Sequence, residues 1–484
     1  MRLFLALVAL PGFYAASSCN LTGVWQSVGS SDPVTVLEGP TGAFTATAQS
    51  GFTNAAGFAY ANGTLYLDCC GPKGIYGAID TACALITWSD GVGSQWARPR
   101  PPTPRNATIS NLVARVDDTG ALMRLQDGCL ADFNGMFYLY GARYQCCPVS
   151  EQPACYQACG WRNTTFAVYS SPDLQVWHLE NDNLMPIFTD PASPHSNTRN
   201  AYFEPCVLYS ASADHCAWAR LLTLNPPPPL TRPLTPPPPH THTLSLLRAD
   251  ALWFLNTNTK AVAVSDSPTG PFESVTWDTG LAQGSDSYFW FDKPSGVHYV
   301  KHNGPPPAGE KRGAHYVARL APDLLSVVFN ASSPAMLVPA LPVPPSYQGA
   351  WPSCSEGGGM FEHGGRFYVM AGACCCFCHA GANAYVWMSS TGPLGEYVLQ
   401  DDIGVIPFNV STQQYLTGAQ QFSVAQLPTA TGSLPMYIGQ RFGSAPDGLK
   451  CHDLQYWAPL TVAPATGQVA EMAWVDEFSV QLLL

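Results

Sequence analysis

Short apolar runs recur along the whole chain, each rich in aromatic or β-branched residues: GAFTATA, TLYLD, FYLYGA, FAVYSS, AVAVSDS, HYVAR, RFYVMAG, AYVWMSS and LPMYIGQ. Runs this short, with turn-forming residues between them, predict strands. No long window sustains the 3.6-residue apolar period of a helix, so the pattern predicts an all-β chain. Three of the runs belong to a longer repeat. FAVYSSPDLQVWHLE (166–180), AVAVSDSPTGPFESVTW (261–277) and AYVWMSSTGPLGEYVLQ (384–400) each join an apolar strand, a serine with a Pro/Gly turn, and a second strand. One such unit cannot bury both of its faces, so repetition predicts the blades of a β-propeller.

Residues 19–98 follow a different pattern, with LTGVW, TVLEGPTGAFTATA, AYANGTLYLD and ALITWSDGVGSQWARP in succession. This meander predicts a small β-barrel or sandwich, which either packs on its neighbour or serves as a carbohydrate-binding accessory domain. RPRPPTPRN then has the composition of a stiff linker. The expected organisation is a signal peptide at 1–18, a small β domain at 19–98, a Pro-rich linker at 99–118 and a propeller at 119–484. One segment breaks the pattern: two Pro tetrads lie between the strand-like residues Cys216–Trp218 and Ala251–Leu255. Proline has no N–H to give a sheet ladder, so about 219–250 cannot continue a strand. It is either a looped-out insert or, the preferred reading, an intron retained in the gene sequence.

Composition narrows the function. With 484 residues and 46% hydrophobic content the chain can bury a large core, and disorder is not expected. A net charge of −12 without a local basic cluster argues against a nucleic-acid partner. MRLFLALVALPGFYAASSC has Arg2, an apolar stretch and small residues at 15–18, the pattern of a cleaved secretory leader. No later run approaches the ~18 apolar residues that a membrane span needs. Sequons at Asn20, Asn62, Asn106, Asn163, Asn330 and Asn409 fit a glycosylated, secreted protein. The 17 cysteines agree with an oxidising compartment. Adjacent pairs such as Cys146–Cys147 and Cys374–Cys375 do not form a regular zinc knuckle, so disulfides are expected, and no metal or other cofactor. The expected state is a monomer.

Three acids stand at matching places. Asp127 comes ten residues before Phe137 of its strand, Asp286 opens DSYFWFDKPSGVHYV, and Glu356 comes eleven residues before Phe367. Carboxylates at equivalent positions of successive blades converge on the central axis, where an acid and a base can flank a glycosidic bond.

These segments resemble glycoside hydrolase family 43, the five-bladed propellers, over about 120–484 with the proline insert excepted. DGCLADFNGMFYLYG is similar to the family's first-blade pattern, a catalytic Asp shortly before a YYLYG strand. YSSPDLQVW is similar to YSSPDLVNW, SDSPTGPF to SDSPLGPF, and EGGGMFEHGGRFYV to EGPWIFKRNGYYYL. The resemblance implies that Glu356 is the general acid, that Asp286 orients it and tunes its pKa, and that Asp127 is the candidate base.

RNAYFEPCVLYS, AQQFSVAQL and MYIGQRFGSAPDGLKCHDLQYWAPL resemble the subgroup that includes exo-β-1,3-galactanases. That likeness implies a substrate contact for Glu204 and makes Gln420 an alternative residue for positioning the water. Tyr202 and Trp351 are candidates for stacking on sugar. The chain departs from the subgroup at Asp127-Gly128-Cys129, where His-Gly-Gly is usual, and at Gln440, which replaces an Asp.

Three functions remain open. The first is an inverting glycosidase on galactan, arabinan or xylan. The second is a secreted glycan-binding propeller without turnover, which the triple glycine Gly357–Gly359 favours because the family has proline and a bulky residue there. The third is a structural cell-surface protein held by disulfides that neither binds nor cleaves sugar. If the intron reading holds, peptide mapping of the natural protein recovers no peptide from 219–250.

Overall fold

The computed structural model describes the strands between 23 and 97 and most of 104–483, except 149–162, 209–249, 305–313, 329–354, 374–380, 405–416 and shorter loop stretches. Residues 1–22, which carry the expected leader, and the proline insert up to 249 lie outside the described residues.

Eight antiparallel strands build the N-terminal unit: β1 (Gly23–Ser27), β2 (Pro33–Glu38), β3 (Ala43–Ala48), β4 (Ala55–Ala59), β5 (Thr64–Asp68), β6 (Ile75–Ile79), β7 (Leu85–Trp88) and β8 (Gln95–Ala97). They close into a barrel, with β1 paired to β8 through Gln26 and Ala97. Trp25, Val34, Val36, Ala46, Leu65 and Ile86 are buried. The two-residue spacing of Val34 and Val36 places both on the inner face.

Five further sheets form the second unit, a five-bladed propeller. Blade 1 is β10 (Leu130–Phe133), β11 (Met136–Arg143), β12 (Thr165–Ser171) and β13 (His178–Asn181). Blade 2 is β14 (Tyr202–Leu208), β15 (Asp250–Asn256), β16 (Thr259–Ser265) and β17 (Glu273–Thr276). Blade 3 has β18 (Ser287–Asp292), β19 (Val297–Gly304) and β20 (Ala314–Arg319). Blade 4 is β21 (Ser355–His363), β22 (Arg366–Ala373), β23 (Tyr385–Ser389) and β24 (Val398–Asp402). Blade 5 contains β25 (Gln420–Thr429), β26 (Gly432–Arg441) and β27 (Leu454–Pro459). The first strand of each blade touches the first strand of its neighbour, β10 with β14, then β18, β21 and β25, so these strands line the axis.

Both faces of every blade are buried, as the repeat requires. Phe166, Tyr202 and Phe254 fill the space between blades 1 and 2, and Val262, Val300 and Ala318 that between blades 2 and 3. Tyr299, Val317 and Val369 join blades 3 and 4; Tyr368, Val386, Tyr437 and Tyr456 join blades 4 and 5. Leu208 at the end of β14 pairs with Ala251 in β15, so the β14–β15 ladder reaches the described residues on either side of the proline segment.

The ring closes through a ribbon. β9 (Pro104–Ser110) pairs along its whole length with β28 (Glu477–Leu483), and β28 joins β25 at Thr429 and Leu482. Ala107, Ile109, Val480 and Leu482 from this ribbon pack with Phe137 and Tyr169 of blade 1 and with Met436 and Trp457 of blade 5. The expected linker at 99–118 is therefore corrected, because a propeller strand lies within it. Pro104 is tolerated as the first residue of that strand, and Ala107 and Ile109 then alternate inward.

Asn111 ties the ribbon to blade 5. It is buried, its Nδ2 donates to Trp457 O (2.8 Å) and Val475 O (3.0 Å), and its Oδ1 accepts from Trp457 N (2.9 Å). Asn111→Ala leaves two buried backbone groups and one half-buried one without this partner, and thermal unfolding is expected to show a loss of about 2–4 kcal/mol.

Candidate active site

Each inner strand carries a polar residue at or near its start. Asp127 lies three residues before β10, Glu204 is third in β14, Asp286 directly precedes β18, Glu356 is second in β21 and Gln420 opens β25. The three acids picked out by the sequence are thus members of a set of five, one per blade.

Contacts link these positions from blade to blade. The Cys129–Cys206 disulfide joins the residues two positions after Asp127 and Glu204. Ser287 N donates to Glu204 Oε2 (3.4 Å) and the Tyr288 hydroxyl to its Oε1 (3.3 Å). Gly357 N donates to Asp286 Oδ2 (3.4 Å), which sets that carboxylate against the backbone of the residue after Glu356. Gly357 in turn lies so close to Gln421 that an added Cβ would be 2.3 Å from the Gln421 carbonyl oxygen. Gln126, beside Asp127, accepts at Oε1 from Lys450 Nζ (2.9 Å) of the last blade.

The backbone is bent at these positions. Asp127 (φ 55°) and Glu204 (φ 52°) adopt the left-handed region, uncommon for residues other than glycine and concentrated at functional sites. Gly357 and Gly358 have φ of 68° and 99°. The register of β21 shifts between Glu356 and Gly359, a bulge that re-aims the side chains around it. A Cβ at Gly358 would lie 1.8 Å from Met370 O, and one at Gly359 2.7 Å from Val424 N. The triple glycine is therefore what the bulge and the packing of β21 require.

Three buried lysines accompany the acids. Lys260, with no exposed surface, donates to Glu204 Oε2 at 2.9 Å. Lys301, equally buried, donates to Gly357 O (2.6 Å) and Asn303 Oδ1 (3.1 Å), while Asn303 Nδ2 donates to Asp286 Oδ2 (3.2 Å). His315 Nδ1 pairs with the same Asn303 Oδ1 (2.9 Å); burial first, then the Lys301 charge, hold its pKa well below the usual histidine value. Burial likewise pushes His302 down to about 4, so neutral imidazoles surround Lys301. Lys450 lies over the Tyr144 ring, and the Tyr144 hydroxyl donates to Asp127 Oδ2. Burial pushes the Lys450 pKa down to about 8, against the pull of Asp127 and Asp453.

The remaining candidates fall differently. Gln420 is buried and pairs with Gln440 across the β25–β26 ladder. Glu356 is placed by its backbone pairing with Gly372, and its side chain lies outside the described residues, as does Trp351. Tyr202 is corrected to a core residue: its ring is fully buried and stacked on Phe188 at 3.7 Å, and its hydroxyl donates to His195 O (2.8 Å), so neither ring face is open to a sugar. Cys146, Cys451 and His452 bring ligand atoms within 4.8 Å of one another, but the two sulfurs form a disulfide. The lysines and Tyr144 were missed by sequence reasoning; the available signal was a lone lysine inside the apolar strands TKAVAVS and VHYVKHNG.

Solved structures share this architecture. An exo-β-1,3-galactanase from Clostridium thermocellum superposes with a TM-score of 0.51 and 15% identity, over 77% of this chain and 67% of that one. A family GH43 β-1,3-galactosidase with galactodeoxynojirimycin gives 0.50 and 14%, over 76% of this chain and 99% of the other. An exo-β-1,3-galactanase from Phanerochaete chrysosporium with galactose gives 0.50 and 15%, over 78% and 69%. The fold is that of the family 43 glycoside hydrolases. Another β-1,3-galactosidase of that family extends further, and the chain spans 64% of its length. No family model matches the sequence, and no curated protein matches it. At these identities the likeness reaches the fold alone.

Gly358→Ala combines a left-handed backbone with a clash on Met370 O. A loss of at least ~3 kcal/mol is expected in urea unfolding, with little soluble protein recovered.

Proposed function

We propose that the chain is a secreted glycoside hydrolase that cleaves a polysaccharide by inverting acid–base chemistry. The observation that carries this reading is the ring of Asp127, Glu204, Asp286, Glu356 and Gln420 at the starts of the five inner strands. Glu356 is the general acid. Asp286, bonded to the peptide N–H that follows Glu356, positions that acid and keeps a negative charge near it, which favours the protonated form.

On the opposite side, Asp127 deprotonates the attacking water, or Gln420 orients it. The inverting geometry leaves roughly 6.5–9.5 Å between acid and base for that water. Glu204, whose oxygens already accept from Lys260, Ser287 N and the Tyr288 hydroxyl, is the candidate for a further substrate contact. β-1,3-Galactan is the first substrate to test, because the structurally similar enzymes are named for it; arabinan and xylan are the alternatives. The Cys129–Cys206 and Cys146–Cys451 disulfides support a secretory route, together with the leader-like N-terminus and the sequons.

Reducing-sugar release from the three polymers tests the proposal. Wild-type protein is expected to act on one of them, and Glu356→Gln to lose at least ~100-fold in kcat, the scale of a positioned acid. Asp127→Asn and Gln420→Ala then identify the residue that handles water, by which of them loses more. Wild-type protein that releases nothing but binds oligosaccharide would instead identify a glycan-binding propeller.

A further inference from the structure

Lys450 sits in a short turn (Lys450–His452) between β26 and β27 and is 4% exposed. Hiding an ammonium is costly unless opposite charge and acceptors receive it, and a methionine would fill the space without that cost. The surroundings supply both. Nζ donates to Gln126 Oε1 at 2.9 Å and lies 4.6 Å from the Tyr144 ring centroid and 4.8 Å from that of Phe442. Asp127 faces it from the loop before β10, and Asp453 from the residue after the turn. Tyr144, at the end of β11, lies beneath the ammonium and donates its hydroxyl to Asp127 Oδ2.

The main chain fixes the same lysine. Lys450 N donates to Cys147 O (2.9 Å), its carbonyl accepts from Gln126 Nε2, and Leu449 bridges to Pro148. The Cys146–Cys451 disulfide spans 305 residues and joins the position two after Tyr144 to the position one after Lys450. That single covalent bond therefore holds the cation and the tyrosine in register with one another.

We infer that Lys450 is a positioning residue for the Asp127 carboxylate, supplying its counter-charge from the last blade, and that the Cys146–Cys451 disulfide holds it there; this rests on the hydrolase reading of the same site. A fixed cation makes the carboxylate easier to ionise, so Asp127 is ready to take a proton from water at lower pH. Tyr144 turns that carboxylate through its hydroxyl and shares the ammonium through its ring.

The first experiment is a double-mutant cycle of Asp127→Asn and Lys450→Met, read by thermal unfolding and independent of turnover. Coupling is expected, with the double variant losing less than the two single losses combined. The second is the pH profile of kcat/KM. In Lys450→Met the acidic limb is expected to move up by about one pH unit, while Lys450→Arg leaves it in place. The Cys146→Ser/Cys451→Ser double variant keeps every charge. It covers the case of an unfolded Lys450→Met, and its acidic limb is expected to rise as well.

Additive unfolding losses, or an acidic limb that stays at the wild-type pH in folded Lys450→Met, would overturn the inference. Where Lys450→Met does not fold, an unmoved limb in the cysteine variant overturns it. Wild-type protein inactive on every polymer would sink the hydrolase reading instead, and the cycle alone would then decide the Lys450–Asp127 pair.

Discussion

Carboxylates brought together at the axis of a propeller need positive charge, and here it comes from lysines buried among them. Lys260 meets Glu204 directly, Lys301 reaches Asp286 through Asn303, and Lys450 reaches Asp127 through Gln126 and Tyr144. Away from bulk solvent such contacts between charged groups are screened little. The backbone is bent at the same places, with Asp127, Glu204 and Gly357 in the left-handed region.

The fold was legible because its information is local. The repeated strand, serine and turn of 166–180, 261–277 and 384–400 needs only short-range pattern, and each copy lies in a blade. Failures came where a distant partner decides the outcome. PRNATIS has the composition of a linker, and only its pairing with the C-terminal strand makes it part of the sheet. The Cys146–Cys451 bond spans most of the propeller, and no spacing within a loop could announce it.

The candidate acids were legible to the extent that they stand just ahead of a recognisable strand. Asp127, Asp286 and Glu356 met that condition. Their cations did not, since a lysine in an apolar strand is equally consistent with an exposed edge position. Tyr202 shows the opposite error, an aromatic next to a candidate acid that belongs to the packing between blades 1 and 2. The triple glycine was readable in sequence only as a departure from the family, whereas in the fold it lets β21 approach β22 and β25 closely.

The closing ribbon has a consequence for synthesis. β9 is the first propeller strand to leave the ribosome, and its partner β28 is the last, with Pro104 paired to Leu483. At 5–20 residues per second, that strand waits on the order of tens of seconds for its mate. Throughout that interval it presents a free edge next to apolar faces of blade 1, a surface on which other chains could add. The finished ring is well sealed, and the growing one is the stage at which a chaperone has something to protect.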